Sequence, residues 1–213
     1  PAGALCGEAS TAYTKRPTHE GVAARARAVL GPELRLIYMT RDPIRRAVSQ
    51  HRHNWGLGLE RAPLAAAIRS DARYLAYSRY DWQLAPWRAC FPPEALLVVR
   101  FEDYLADRAG TLARICAFLG VAPPAQAPGE THRNKSEGKH YVPRGGALDR
   151  VMHSRLYQYT LKPLMSSALR DRIKGLLLPR AEAAEGRLDD ALRAEMQQAL
   201  QDDALAARYF DRG

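Results

Sequence analysis

The chain has 213 residues, 46% hydrophobic and 26% charged with both signs interspersed, which is enough apolar material for one buried domain and argues against wholesale disorder. The net charge of +9 and the pI near 9.7 point to an anionic partner, although Lys supplies only 5 of the 32 basic residues, so part of the excess reflects Arg- and Ala-rich coding. No apolar run approaches the roughly 18 residues of an integral membrane segment, no cleavable signal is visible, and Cys6, Cys90 and Cys116 lack metal-ligand spacing, which together fit a cytoplasmic, reducing setting.

Ala4 to Ser10 reads as a short strand leading into the polar stretch Thr11 to Pro17. Val22 to Leu30 is an Ala- and Arg-rich helix closed by Gly31-Pro32. Leu34 to Thr40, LRLIYMT, has the pattern of a buried strand. Asp42-Pro43 then opens a helix. Asp is a good N-cap, and Pro suits the first helical position because its missing N–H costs nothing there. Pro63 to Ile68 and Tyr74 to Ala89 read as helices, the second run ending at Pro92-Pro93. Ala95 to Phe101, ALLVVRF, is a second buried strand. Leu112 to Leu119 is an amphipathic helix that stops at Gly120, with Cys116 on its core side. Pro124 to Gly146 has no periodicity and reads as a long functional loop. Leu148 to Leu178 and Leu188 to Tyr209 read as terminal helices. The alternation implies an α/β fold, a parallel sheet flanked by helices, in a single domain over 1–213 closed by a C-terminal helix at 188–213. About three strands are legible, few for such a sheet. Pro1 stands where Met would begin a complete chain, so the sequence reads as trimmed or processed.

The informative stretch is TRDPIRRAVSQHRH, Thr40 to His53, which joins the end of a buried strand to a helix. Ligands of open α/β sheets bind at the carboxyl ends of strands. Arg41 stands at that edge, and its planar, permanently charged fork binds two phosphate oxygens at once. Ser49 lies eight residues on and offers a hydroxyl to the same phosphate. Arg45, Ser49 and His53 recur every four residues and share one helix face. An ordinary capped helix would also contain Arg-Asp-Pro, with Arg41 pairing an acid. A second candidate lies at Lys135 to Pro143, KSEGKHYVP, where Gly138 permits close backbone approach to an anion, Lys135 and Lys139 add charge and Tyr141 can pack on a ring. A solvated basic loop would look the same.

RDPxxRAxS at a strand-to-helix junction resembles the 3′-phosphate-binding motif of sulfotransferases that use 3′-phosphoadenosine 5′-phosphosulfate (PAPS), with Arg41 and Ser49 at the positions of that family's phosphate ligands. GEASTAYTKRP, Gly7 to Pro17, resembles the GEK[ST]PxY strand of the carbohydrate branch. Ser78 to Tyr104, with YDWQL, FPPEALLVV and FEDY, resembles the segment that follows, and LARICAFLGV continues it. KSEGKHYVP is similar to the nucleotide-closing loop of heparan sulfate N-sulfotransferases, and the last segment looks like the closing helix of bacterial members. The resemblance implies a P-loop-NTPase-like fold whose first strand and phosphosulfate loop precede Pro1. It implies an enzyme that moves a sulfuryl group from PAPS to a hydroxyl or amine of a carbohydrate, lipid or natural product, leaving adenosine 3′,5′-bisphosphate and needing no metal. Donor-binding roles then fall to Arg41, Ser49, Tyr80, Gly138, Lys139 and Tyr141. His53 matches a histidine implicated at the active site of the N-sulfotransferases and is the catalytic candidate within this chain, the main base and the leaving-group cation being expected before Pro1.

Two departures qualify the branch. Ala9 occupies the Lys position of GEK[ST]PxY, and Glu137 the first Lys position of the closing loop, so a heparan-type acceptor does not follow. With no Gly-rich, Lys-bearing turn near residue 1, the expectation is a partial site that binds the 3′-phosphate and transfers sulfate poorly. Two other readings compete: a P-loop nucleotide kinase or NTPase, which needs a Walker lysine, and a non-catalytic anion-binding domain. No nucleic-acid-binding module is recognisable.

Overall fold

In a computed structural model, which describes residues 5–124, 154 and 186–210, the two apolar runs form β1, Leu36–Thr40, and β2, Leu96–Arg100. They pair in parallel, in register from Leu36 against Leu96 to Thr40 against Arg100. Parallel neighbours need a long crossover, supplied here by α2, Pro43–Gly56, α3, Leu64–Ser70, α4, Arg73–Ala76, and α5, Tyr80–Cys90. Before the sheet comes α1, Val22–Leu30, as the sequence predicts.

Strand alternation divides the sheet into two faces. Leu36, Tyr38, Leu96 and Val98 pack against a core of Ala23 from α1 and Leu84, Trp87 and Phe91 from α5 and its C-cap, with Ala95. The other face is less covered along β1, where Ile37 is 41% and Met39 47% exposed. Among the described residues the sheet has these two strands. The strand expected over Ala4 to Ser10 does not form: Leu5 to Ser10 are exposed without regular structure, and a short 3₁₀ turn, Thr11–Thr14, follows, capped by Ser10. A strand needs a neighbour for its ladder, and this exposed segment has none among the described residues. This segment is instead tied down at Arg16, whose backbone N–H donates to Gln83 Oε1 and whose carbonyl accepts from Gln83 Nε2, both at 2.9 Å.

The helix expected over Tyr74 to Ala89 is two helices. Its break at Tyr77 to Arg79 follows from Ser78, which is fully buried and donates from Oγ to the Pro43 carbonyl at 2.8 Å. That tertiary bond overrides local helical propensity. Pro86 lies inside α5 and removes one helical donor. The orphaned carbonyl, Trp82 O, accepts from Arg16 Nη1 at 3.0 Å instead.

β2 runs directly into α6, Phe101–Ala106, and then α7, Arg108–Leu119. This last helix begins four residues before the expected Leu112 because its N-cap is Asp107, whose Oδ1 accepts from Gly110 N at 2.8 Å. Gly120 ends it at φ 71°, a left-handed conformation that glycine adopts without penalty. The expected C-terminal helix is likewise two, α8, Asp190–Leu200, and α9, Ala204–Ala207, interrupted by Asp203 acting as a new N-cap. The loop expected from Pro124 to Gly146 and the helix from Leu148 to Leu178 lie outside the described residues, apart from Pro124 and Ser154.

The described residues divide into two compact units. The first runs to Arg46, resumes from Ala72 to Pro124 and includes Arg193 onward; it contains the sheet, α1, α4 to α7 and α9. The second holds Ala47 to Asp71, with Gly186 to Leu192. In it Ala47, Val48, Trp55, Leu64, Ala67 and Ile68 are buried, and buried His51 bonds from Nε2 to Ala62 O at 2.9 Å. No helix among the described residues is long and apolar enough to cross a membrane.

Candidate functional site

The carboxyl ends of β1 and β2 bring Thr40, Arg41 and Asp42 beside Arg100 and Glu102. Asp42 caps α2: its Oδ1 accepts from the N–H groups of Ile44 and Arg45, both at 2.9 Å. The first-turn donors that would attract an anion to a helix N-terminus are therefore engaged by the chain's own carboxylate. Any anion at this edge must be held by side chains.

Arg41 is half-buried. Its guanidinium lies along the first turn of α2, where Nη2 donates to Arg45 O at 3.4 Å. That bond is long and weak, so the fork is held near the sheet edge without being committed. The sequence grouped Arg45 with Ser49 and His53 on one helix face. In the structure the Arg45 side chain is 76% exposed and pairs with Asp42 Oδ2 at 3.9 Å, a geometry of small energetic value.

The inward-facing arginine is Arg46, which sequence spacing did not single out. Its Nε donates to Ser78 Oγ at 2.6 Å, another of its N–H groups donates to the Tyr74 carbonyl, and its guanidinium stands 5.9 Å from the Tyr77 ring centroid. Burial pulls its pKa down to about 10; the hydroxyls of Tyr80 and Tyr38 oppose the shift, and the positive charge of Arg41 adds to it. Arg41 and Arg46 thus feel one another, and an anion beside Arg41 relieves that repulsion.

Tyr80 opens α5 and is 2% exposed. Its ring meets Tyr38 edge-on at 6.0 Å and Tyr209 at 6.4 Å, and its hydroxyl donates to Arg41 O at 2.6 Å. Burial raises the pKa of Tyr80 and of Tyr38 far above the usual tyrosine value, so both stay neutral donors. Tyr209, from the segment after α9, shares a 2.7 Å hydrogen bond with Thr40 Oγ1 and lies 4.5 Å under the Arg100 guanidinium. The resemblance implies a donor-binding role for Tyr80; in the structure its hydroxyl bonds to the backbone that carries Arg41.

Ser49, half-buried, and His53, exposed, stand further along α2 and belong to the second unit, whereas Arg41 belongs to the first. Gly138, Lys139 and Tyr141 lie outside the described residues. Among the residues important here, Glu102 and Tyr209 were missed. Glu102 was visible only as part of the FEDY motif, and nothing in the sequence ties residue 209 to residue 40.

The family model of the sulfotransferase family matches residues 3–124, more than half of the chain. No curated protein matches it. Among solved structures, a sulfotransferase from Alicyclobacillus acidocaldarius is similar at 23% identity with a TM-score of 0.48, over 54% of this chain and 50% of that one. The chain thus spans about half the length of that protein.

Proposed function

Because the chain belongs to the sulfotransferase family, we propose that it serves the transfer of a sulfuryl group from PAPS to a hydroxyl or amine of an acceptor, with Arg41 and Ser49 holding the donor's 3′-phosphate. The observation that carries the reading is Arg41 itself. It sits inside the matched span at the carboxyl end of a parallel strand, with a weakly engaged fork, where the nearest helix N-terminus is already capped. A doubly charged phosphate suits that fork. The buried charge of Arg46 makes the surroundings more positive without touching the ligand.

Ser49 enters through its spacing. Eight residues along an α-helix rise about 12 Å, and Arg41 already lies along the first turn in that direction. Each offers a bond that suits a phosphate, Arg41 a bidentate pair and Ser49 a hydroxyl. His53, one further turn on, is the base this chain offers for the acceptor's proton. Gly138, Lys139 and Tyr141 are the residues we assign to closure over the nucleotide. When bound, the donor supplies the activated sulfuryl group; the residues named here bind and orient it. The acceptor belongs to no class that these residues specify, since Ala9 and Glu137 stand where the heparan branch carries lysines.

Calorimetric titration with adenosine 3′,5′-bisphosphate and with ATP tests the donor. The bisphosphate should bind clearly better, Arg41→Ala should weaken it tenfold or more, an energy of about 1.4 kcal/mol or greater, and Ser49→Ala should weaken it several-fold. Equal binding of the two nucleotides would reject the assignment of the donor.

A further inference from the structure

One peptide group at the sheet edge is gripped from both sides. The Arg41 carbonyl and the Asp42 N–H belong to the same peptide plane. The carbonyl accepts from Tyr80 Oη at 2.6 Å, and the N–H donates to Glu102 Oε1 at 2.9 Å. Neither bond belongs to the β1–β2 ladder or to a helix. The two side chains arrive from different elements, the first residue of α5 and the second of α6.

Each grip is built at some expense. Tyr80 is buried against Tyr38 and Tyr209, so its ring has no freedom to seek another partner. Glu102 commits a carboxylate to one neutral N–H, and its Oε2 is buried without a partner among the described residues. Leaving a carboxylate oxygen dry and unpaired is destabilising. Nearby Arg100 pairs with Asp103 at 3.7 Å rather than with Glu102. An arrangement selected for stability alone would have joined those two charges.

We propose that Tyr80 and Glu102 are positioning residues for Arg41. Holding the plane at both polar ends fixes ψ of Arg41 and φ of Asp42, and with them the direction in which the Arg41 side chain leaves the strand. A bidentate contact demands that direction, because a fork misaligned by tens of degrees keeps only one of its two bonds. The clamp therefore converts a flexible strand-to-helix corner into a prealigned phosphate ligand. This inference rests on the reading of Arg41 as a 3′-phosphate ligand. It assigns Tyr80 a role through the backbone and not through stacking on a nucleotide ring.

A double-mutant cycle on the 213-residue chain tests it, read by the affinities for adenosine 3′,5′-bisphosphate and adenosine 5′-phosphate. Tyr80→Phe keeps the ring and removes only the hydroxyl. It should weaken the bisphosphate about fivefold and leave the monophosphate unchanged, and in an Arg41→Ala background it should have no further effect. Glu102→Ala should behave the same way, and Glu102→Gln, which keeps an oxygen acceptor, should restore most of the lost affinity. The clamp is overturned if Tyr80→Phe leaves the bisphosphate affinity at its parent value or weakens it equally with and without Arg41. If Arg41→Ala itself leaves the bisphosphate affinity intact, the ligand reading fails, and the clamp fails with it. Should Tyr80→Phe not fold, as judged by circular dichroism, the Glu102 pair decides the matter alone.

Discussion

Three arginines crowd the start of α2, and burial separates their tasks. Arg41 is half-buried and weakly engaged, Arg45 is solvent-facing, and Arg46 is enclosed. For Arg46 the sign of the pKa shift matters. Burial lowers it from the ordinary guanidinium value to about 10 by penalising the charged form, so the penalty is absent only above the unfolded value and is felt in full once the pH has fallen through 10. At neutral pH the charge is therefore a cost, offset by its bonds to Ser78 and Tyr74. Ser78 passes the restraint on to Pro43, so Arg46 holds the first turn of its own helix against the turn before α5. Removing it leaves a buried hydroxyl and a carbonyl short of a donor. Arg46→Ala should lower the unfolding free energy by about 3 kcal/mol, and Arg46→Lys by roughly half of that because one ammonium cannot reproduce a planar fork. Urea denaturation reads both, and an Arg46→Ala chain as stable as the parent would show that these bonds merely fill space.

At the scale of elements, a single carboxylate fastens the C-terminal segment to the sheet's flank. Asp203 is buried and caps its own helix, α9, by accepting from Ala206 N at 3.0 Å. It also accepts from the backbone of α5, from Asp81 N at 2.9 Å and Trp82 N at 3.2 Å. Asp81 answers from the other side by accepting from Leu205 N at 2.8 Å. Two helix starts thus cap each other, and Leu200 and Ala206 close a small core with Tyr80. Charge-assisted bonds to backbone N–H groups are worth more than neutral ones, and losing them leaves donors of two helices unsatisfied. Asp203→Ala should cost about 3 kcal/mol and Asp203→Asn about half that, with Tyr209 fluorescence or near-ultraviolet dichroism changing alongside the melting curve. If Asp203→Ala melts with the parent, the two helices are held by their apolar contacts alone. None of this reciprocity was legible in the sequence, which shows Asp203 only as a polar residue in an otherwise periodic run. The strands, α1 and the start of α2 were legible because local patterns decide them: apolar runs, a Gly-Pro stop, an Asp-Pro start. The breaks at Tyr77 to Arg79 and at Asp203 were not, because bonds from residues 35 and 122 positions away decide them.

For the molecule as a whole, the open question raised by composition is whether the charge of +9 acts on a ligand or only records Arg-rich coding. The position of Arg41 was legible, because it follows from a motif at a strand end. Its surroundings were illegible where Tyr80, Glu102 and Tyr209 converge on that motif from distant positions. Neither fact bears on the field of the whole chain, but salt does. The screening length shrinks from about 10 Å at 0.1 M to about 3 Å at 1 M, so contributions from remote arginines fade first and the direct contact of Arg41 last. If the excess charge gathers anionic ligands, the affinity for adenosine 3′,5′-bisphosphate should fall several-fold between about 0.05 M and 0.5 M sodium chloride, chiefly through a slower association rate. Arg41→Ala should lower affinity at every salt concentration yet keep most of the slope, because it removes one charge among many. A parent chain whose bisphosphate affinity is flat with salt would mean that the positive excess is compositional and that the contact at Arg41 stands alone.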